Sequence, residues 1–153
     1  MGSGNYYHRQ HRPDPLLDEV GRSRKAEKIL MVLSEALGTG LSPYFCLDIG
    51  CSYGLLTKHL SPRFRYTAAL EYDTEALKRF KSGEAHLDFV CGDAQRLPIR
   101  DEAVDIVICA QVYEHVVDSS LLFTEIWRVL APGGVCFFSG PNRLYPVELH
   151  YHL

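Results

Sequence analysis

Nine residues constrain this chain more than any others: Cys46-Leu47-Asp48-Ile49-Gly50-Cys51-Ser52-Tyr53-Gly54. A short apolar run ends on a carboxylate and breaks into a loop with Gly at two positions. Leu55-Leu56-Thr57-Lys58-His59-Leu60 follows at once, with helical spacing of its apolar residues. Strand, glycine loop and helix is the geometry in which backbone N–H groups face a ligand at a helix N-terminus. Gly permits the tight turn and the close approach that a Cβ would obstruct. The next apolar run, Tyr66-Thr67-Ala68-Ala69-Leu70, ends on Glu71. A carboxylate about 20 positions after such a loop commonly meets ribose hydroxyls. Together these features predict a nucleoside-containing cofactor at the mouth of a parallel sheet.

The loop itself narrows the cofactor. A dinucleotide fingerprint needs Gly in the middle position, so that the backbone can touch a pyrophosphate. Here that position is Ser52, followed by the bulky Tyr53. A nicotinamide or flavin reading is therefore weakened. A cofactor that carries a carboxylate and an amine makes a looser demand. Taken alone, the loop is equally a plain turn between a strand and a helix.

The rest of the chain alternates in the same way. Residues 1–15 are polar, contain Pro13 and Pro15, and read as a flexible arm. From Leu16 to Leu37 the pattern is helical, with Ala26, Ile29, Leu30, Leu33 and Leu37 on one face, and Gly38 and Gly40 stop it. Strands are expected at residues 44–49, 66–71, 87–91, 104–110 and 134–140. Helices are expected at 53–60, at 74–82 with its start at Asp73 or Thr74, and at 119–130. The strands are nearly continuous apolar blocks, as in sheets covered by helices on both faces. The fold class is therefore α/β, a doubly wound, mostly parallel, Rossmann-like sheet.

Bulk properties set outer bounds. The chain has 153 residues, one domain's worth, with 46% hydrophobic and 23% charged residues. A net charge of −3 gives no electrostatic case for a nucleic-acid partner. The basic residues of the N-terminal segment, such as Arg22 and Lys25, are diluted by acids and read as a solvated helix face. No apolar run approaches the ~20 residues of a membrane helix, and no signal peptide is evident. The five Cys form no CxxC pair. Cys46, Cys91, Cys109 and Cys136 fall in expected strands and read as small buried hydrophobes. Cys51, in the glycine loop, is either a reactive thiol near a helix N-terminus or a plain loop residue. Free thiols fit a reducing, cytoplasmic setting. His150 and His152 flank Tyr151, but no carboxylate or Cys spacing makes them a metal site, so no metal is expected.

The later segments give the chain a family likeness. Val90-Cys91-Gly92-Asp93-Ala94-Gln95-Arg96-Leu97-Pro98, then Ala103–Gln111, Glu114-His115-Val116-Val117-Asp118 and Arg128-Val129-Leu130-Ala131-Pro132-Gly133-Gly134 follow the loop in order. With Asp48-x-Gly50-x-Ser52-x-Gly54, this series resembles the class I S-adenosylmethionine (SAM)-dependent methyltransferases. The branch is that of small-molecule enzymes related to quinone biosynthesis. The likeness runs from Tyr44 to Asn142, and the family usually carries a third Gly where this chain has Ser52.

The resemblance implies a strand order of 3-2-1-4-5, with the ligand where strands 1 and 4 diverge. It implies that SAM is the cofactor and S-adenosylhomocysteine the product. Asp48 would order the loop and meet the methionine end; Gly50, Ser52 and Gly54 would form the floor. Glu71 would accept both ribose hydroxyls. Asp93 would hold the adenine amine and the Ala94 N–H a ring nitrogen, with Tyr72 and Leu97 flanking the ring. Gln111 would contact the methionine moiety. Glu114 and His115 follow one turn later. His115 is the candidate general base, or else a structural histidine.

The expected reaction is methyl transfer to a small-molecule or lipid-like acceptor. The family continues with sixth and seventh strands, whereas this chain stops soon after strand five. Residues 16–153 are thus expected to form a partial SAM-binding domain, with strand five an exposed edge open to self-association. The alternatives are a SAM-binding module or truncated fragment without activity, and a nicotinamide-dependent oxidoreductase fragment.

Overall fold

The computed structural model describes residues 19–38, 40–79 and 84–141. The proposed arm, the pair His150 and His152, and the segment after Pro141 lie outside the described residues. Ten elements follow the expected alternation: α1 (Glu19–Leu37), β1 (Phe45–Ile49), α2 (Leu55–Leu60), a 3-10 turn (Ser61–Arg63), β2 (Tyr66–Glu71), α3 (Thr74–Arg79), β3 (Leu87–Cys91), β4 (Val104–Ala110), α4 (Ser119–Val129) and β5 (Leu130–Ser139).

The five strands form one sheet in the order β3-β2-β1-β4-β5, and every pairing is parallel. Side chains alternate across it with period two, so each central strand feeds two layers. Leu47, Ile49, Val107 and Cys109 point to the α4 side and pack with Leu122, Ile126 and Val129. Cys46, Ile106 and Ile108 point to the other side and pack with Ala26, Ile29 and Leu33 of α1 and Leu60 of α2. Each fully buried Leu or Ile stabilises by roughly 1.5–3 kcal/mol. The central strands thus carry the fold. No described helix is long and apolar enough to cross a membrane.

Two expectations need correction. Cys91 and Cys136 are exposed, whereas Cys46 and Cys109 are buried. The reason is their place in the sheet: β3 and β5 are its two outer strands, each with one side that pairs with no strand among the described residues. Strand five also begins earlier than its apolar run suggests. Val104 pairs with Leu130 and Ile106 with Val135, so Ala131–Gly134 is an excursion from the ladder. Gly133 turns it at a φ of 81°. A Cβ on Gly134 would stand 2.9 Å from the Asp105 carbonyl oxygen, so only Gly fits there.

Candidate functional site

Parallel order places the ends of β1, β2 and β4 on one edge, and the loop after β1 is built against its neighbours. The N–H groups of Gly50 and Cys51 both donate to the Leu70 carbonyl, at 2.8 and 3.0 Å. Gly54 N–H donates to the Cys51 carbonyl at 2.8 Å. Residues 50, 52 and 54 are all left-handed, with φ of 75°, 52° and 66°. This explains Gly at the first and last positions. Ser52 holds the same conformation with a side chain, which is strained for an L-residue.

Glu71 holds Ser52 in place. Its Oε2 accepts from Ser52 N–H at 2.7 Å. Its Oε1 accepts from Tyr72 N–H and Asp73 N–H, at 2.8 and 2.9 Å. The loop N–H groups at 50, 51, 52 and 54 are therefore all taken by the protein itself. A pyrophosphate cradle needs such groups open, so the loop, in line with Ser52 in its middle position, is unlike a dinucleotide cradle. A carboxylate has about four acceptor positions. Three are filled here, which leaves room at Oε2 for one further donor.

Asp48 is buried on the α1–α2 side of β1. Its Oδ2 accepts from the Thr57 hydroxyl of α2 at 2.6 Å. Burial pushes its pKa from 3.8 up to about 6, against the Thr57 hydrogen bond and the charge of Lys25, with Glu71 adding to the rise. Lys25, on α1, is half-buried. Burial, and then the charge of Arg22, hold its pKa below the usual lysine range, against the pull of Asp48 and Glu114.

The turn after β4 sits on the glycine loop. A Cβ on Gly50 would come within 2.6 Å of Val112 Cγ2. Gln111 adopts a φ of 63° and donates its N–H to the Ser139 carbonyl at 2.8 Å. Backbone strain at the end of a central strand is common at binding sites. Glu114 and His115 diverge: the Glu114 side chain is 1% exposed and that of His115 58% exposed, with 4.0 Å between Oε1 and Nε2. Among the described residues, neither carboxylate oxygen of Glu114 has a hydrogen-bond partner, and nor does the buried Nε of Arg22.

The remaining candidates lie along β2 and β3. Asp93 is half-buried, and its Oδ1 accepts from Gln95 N–H at 2.8 Å and from Gln95 Nε2 at 3.2 Å. Ala94 is buried beside it, and Leu97 packs into the core cluster rather than standing open. Tyr72 is 76% exposed. Cys51 is buried, and burial drives its pKa well above the usual thiol range. Of the two readings of this residue, the inert loop position stands. The sheet edge thus brings together Asp48, Gly50, Ser52, Gly54, Glu71 and Gln111. Sequence reasoning missed Arg22, Lys25 and Thr57. The signal for Thr57 was the loop-to-helix spacing from Asp48. Arg22 and Lys25 read as surface charge because no sequence pattern shows which helix face covers the site.

The fold and its edge define a nucleoside-cofactor α/β domain. A family model described as a methyltransferase domain matches residues 47–138, more than half of the chain. The chain belongs to the class I SAM-dependent methyltransferases, in the group that includes quinone-biosynthesis enzymes, and the methyl donor of that family is SAM. A Mycolicibacterium smegmatis protein described as a probable SAM-dependent methyltransferase is 34% identical over 98 residues, covering 64% of this chain and 38% of that protein. A ubiquinone biosynthesis O-methyltransferase from Psychrobacter cryohalolentis is 30% identical over 112 residues, covering 68% and 43%. A crystal structure provisionally described as a sarcosine dimethylglycine methyltransferase from Galdieria sulphuraria superposes with a TM-score of 0.68 at 25% identity, covering 74% of this chain and 45% of that one. The chain thus spans less than half the length of these relatives.

Proposed function

We propose that this chain binds SAM along the edge of β1, β2 and β4 and serves methyl transfer to a small-molecule acceptor. The observation that carries the reading is the Glu71 carboxylate. It fixes Ser52, Tyr72 and Asp73 through their N–H groups and keeps one acceptor position open toward the loop. That position suits one ribose hydroxyl. The closed backbone of the loop disfavours a pyrophosphate and suits a cofactor without one.

The other roles follow from place. Asp93, with Oδ1 engaged by Gln95, would present Oδ2 to the adenine amine, and the Ala94 N–H would meet a ring nitrogen. Tyr72 would cover the ring from its exposed position. Asp48 and Gln111 would border the methionine end, with Arg22 and Lys25 of α1 supplying positive charge for its carboxylate. When bound, the cofactor supplies an electrophilic methyl group on a sulfonium. The chain's part is then positioning, since holding donor and acceptor aligned makes a bimolecular step effectively unimolecular. His115, 58% exposed, would pass an acceptor proton to water.

Calorimetry tests the reading directly. S-adenosylhomocysteine is expected to bind, and NAD to show no heat at the same concentration. NAD binding as tight as S-adenosylhomocysteine would overturn it.

A further inference from the structure

Among the described residues, Glu114 is a buried carboxylate at this edge whose two oxygens receive no hydrogen bond. Both of its oxygens are buried without a hydrogen-bond partner, and its only ionisable contact among the described residues is His115 Nε2 at 4.0 Å, too long for a hydrogen bond. An isolated carboxylate out of water is costly unless a cation or donor meets it. Lys25 lies within electrostatic reach of both Glu114 and Asp48. Asp48, by contrast, already has Thr57. The turn that carries Glu114 rests on the glycine loop through Val112 and Gly50. Glu114 therefore stands beside the place the preceding reading gives to the methionine end. No cationic side chain among the described residues donates a hydrogen bond to the Glu114 oxygens, and they lie at the edge where a sulfonium would sit.

We infer that Glu114 is the residue that recognises the positive charge at the reacting end of the cofactor, so that the site distinguishes a cationic adenosyl ligand from its neutral counterpart. The inference rests on the SAM reading above and deepens it. Its consequence is directional. Loss of the methyl group removes the sulfonium charge and leaves the Glu114 carboxylate unanswered again, which favours departure of S-adenosylhomocysteine. The buried, unpartnered carboxylate is retained because the ligand completes it.

Three probes separate charge from shape: SAM with its sulfonium, sinefungin with an ammonium at the same place, and neutral S-adenosylhomocysteine. Calorimetric titrations of the full chain and of Glu114→Gln are the test. The variant is expected to lose tenfold or more in affinity for SAM and sinefungin, and less than threefold for S-adenosylhomocysteine. Retained S-adenosylhomocysteine binding also shows that the variant is folded. Equal losses for all three, or no loss for any, would overturn the role of Glu114 while leaving the cofactor reading intact. If the unaltered chain binds none of the three, the cofactor reading fails, and this inference fails with it.

Discussion

At the scale of single residues, Asp48 carries a conflict between stability and binding. Its pKa rises from 3.8 to about 6 on burial, beside the Thr57 hydroxyl, Lys25 and Glu71. Between those values the folded chain holds a proton that the unfolded chain has released. Stability therefore falls as pH rises through that window and levels off above it. The raised pKa corresponds to roughly 3 kcal/mol of cost when Asp48 is ionised. Asp48→Asn keeps an acceptor oxygen for Thr57 and removes the charge. It is expected to raise Tm near neutral pH, with the gain shrinking as pH falls toward the lower value, and to weaken SAM binding. Thermal melts across that range check it, and a gap independent of pH would show that Asp48 is not the source.

At the scale of elements, the glycine loop is held by the last residue of β2. Because Glu71 anchors three backbone N–H groups, its loss reaches beyond the cofactor. Glu71→Ala is expected to weaken S-adenosylhomocysteine by about 10- to 150-fold, from the roughly 1.5–3 kcal/mol of a charged hydrogen bond. It should also lower Tm, since Ser52 at a φ of 52° loses the contact that holds it there. Calorimetry and melting of one variant give both numbers, and an affinity change below twofold would remove Glu71 from ribose binding.

The same element shows what a sequence can carry. The spacing from Asp48 to Glu71 was legible because turn chemistry and strand ends are local, and β2, β3 and β4 begin and end where their apolar runs do. The hydrogen-bond closure of the loop was not legible, because it depends on Leu70 and Glu71 of a neighbouring strand. The early start of β5 was hidden because Pro132-Gly133-Gly134 reads as a loop, and is one, within a ladder resumed from Leu130. Arg22, Lys25 and the solitude of Glu114 depend on how α1 lies over the sheet, which no local pattern encodes.

At the scale of the whole molecule, the two sheet edges are guarded differently. β3 carries the exposed Asp88 in its middle, a charge that discourages pairing with another strand. β5 has no charged residue and exposes Cys136 and Phe138. Beside it, Phe123 and Trp127 stand four apart on α4, with Trp127 83% exposed. The Phe123 and Phe138 rings lie 5.2 Å apart, and Phe138 and Tyr113 5.5 Å. The result is a continuous aromatic strip next to a strand edge without a partner among the described residues, a combination that promotes association between copies. The chain as it stands is expected to self-associate as concentration rises. Replacing both Phe138 and Trp127 with Lys should suppress this by placing like charges on the meeting surfaces. Sedimentation over a wide concentration range decides it: a monomer at every concentration would mean that twist or local cover already blocks the β5 edge, whereas association that persists in the double variant would place the contact on another face.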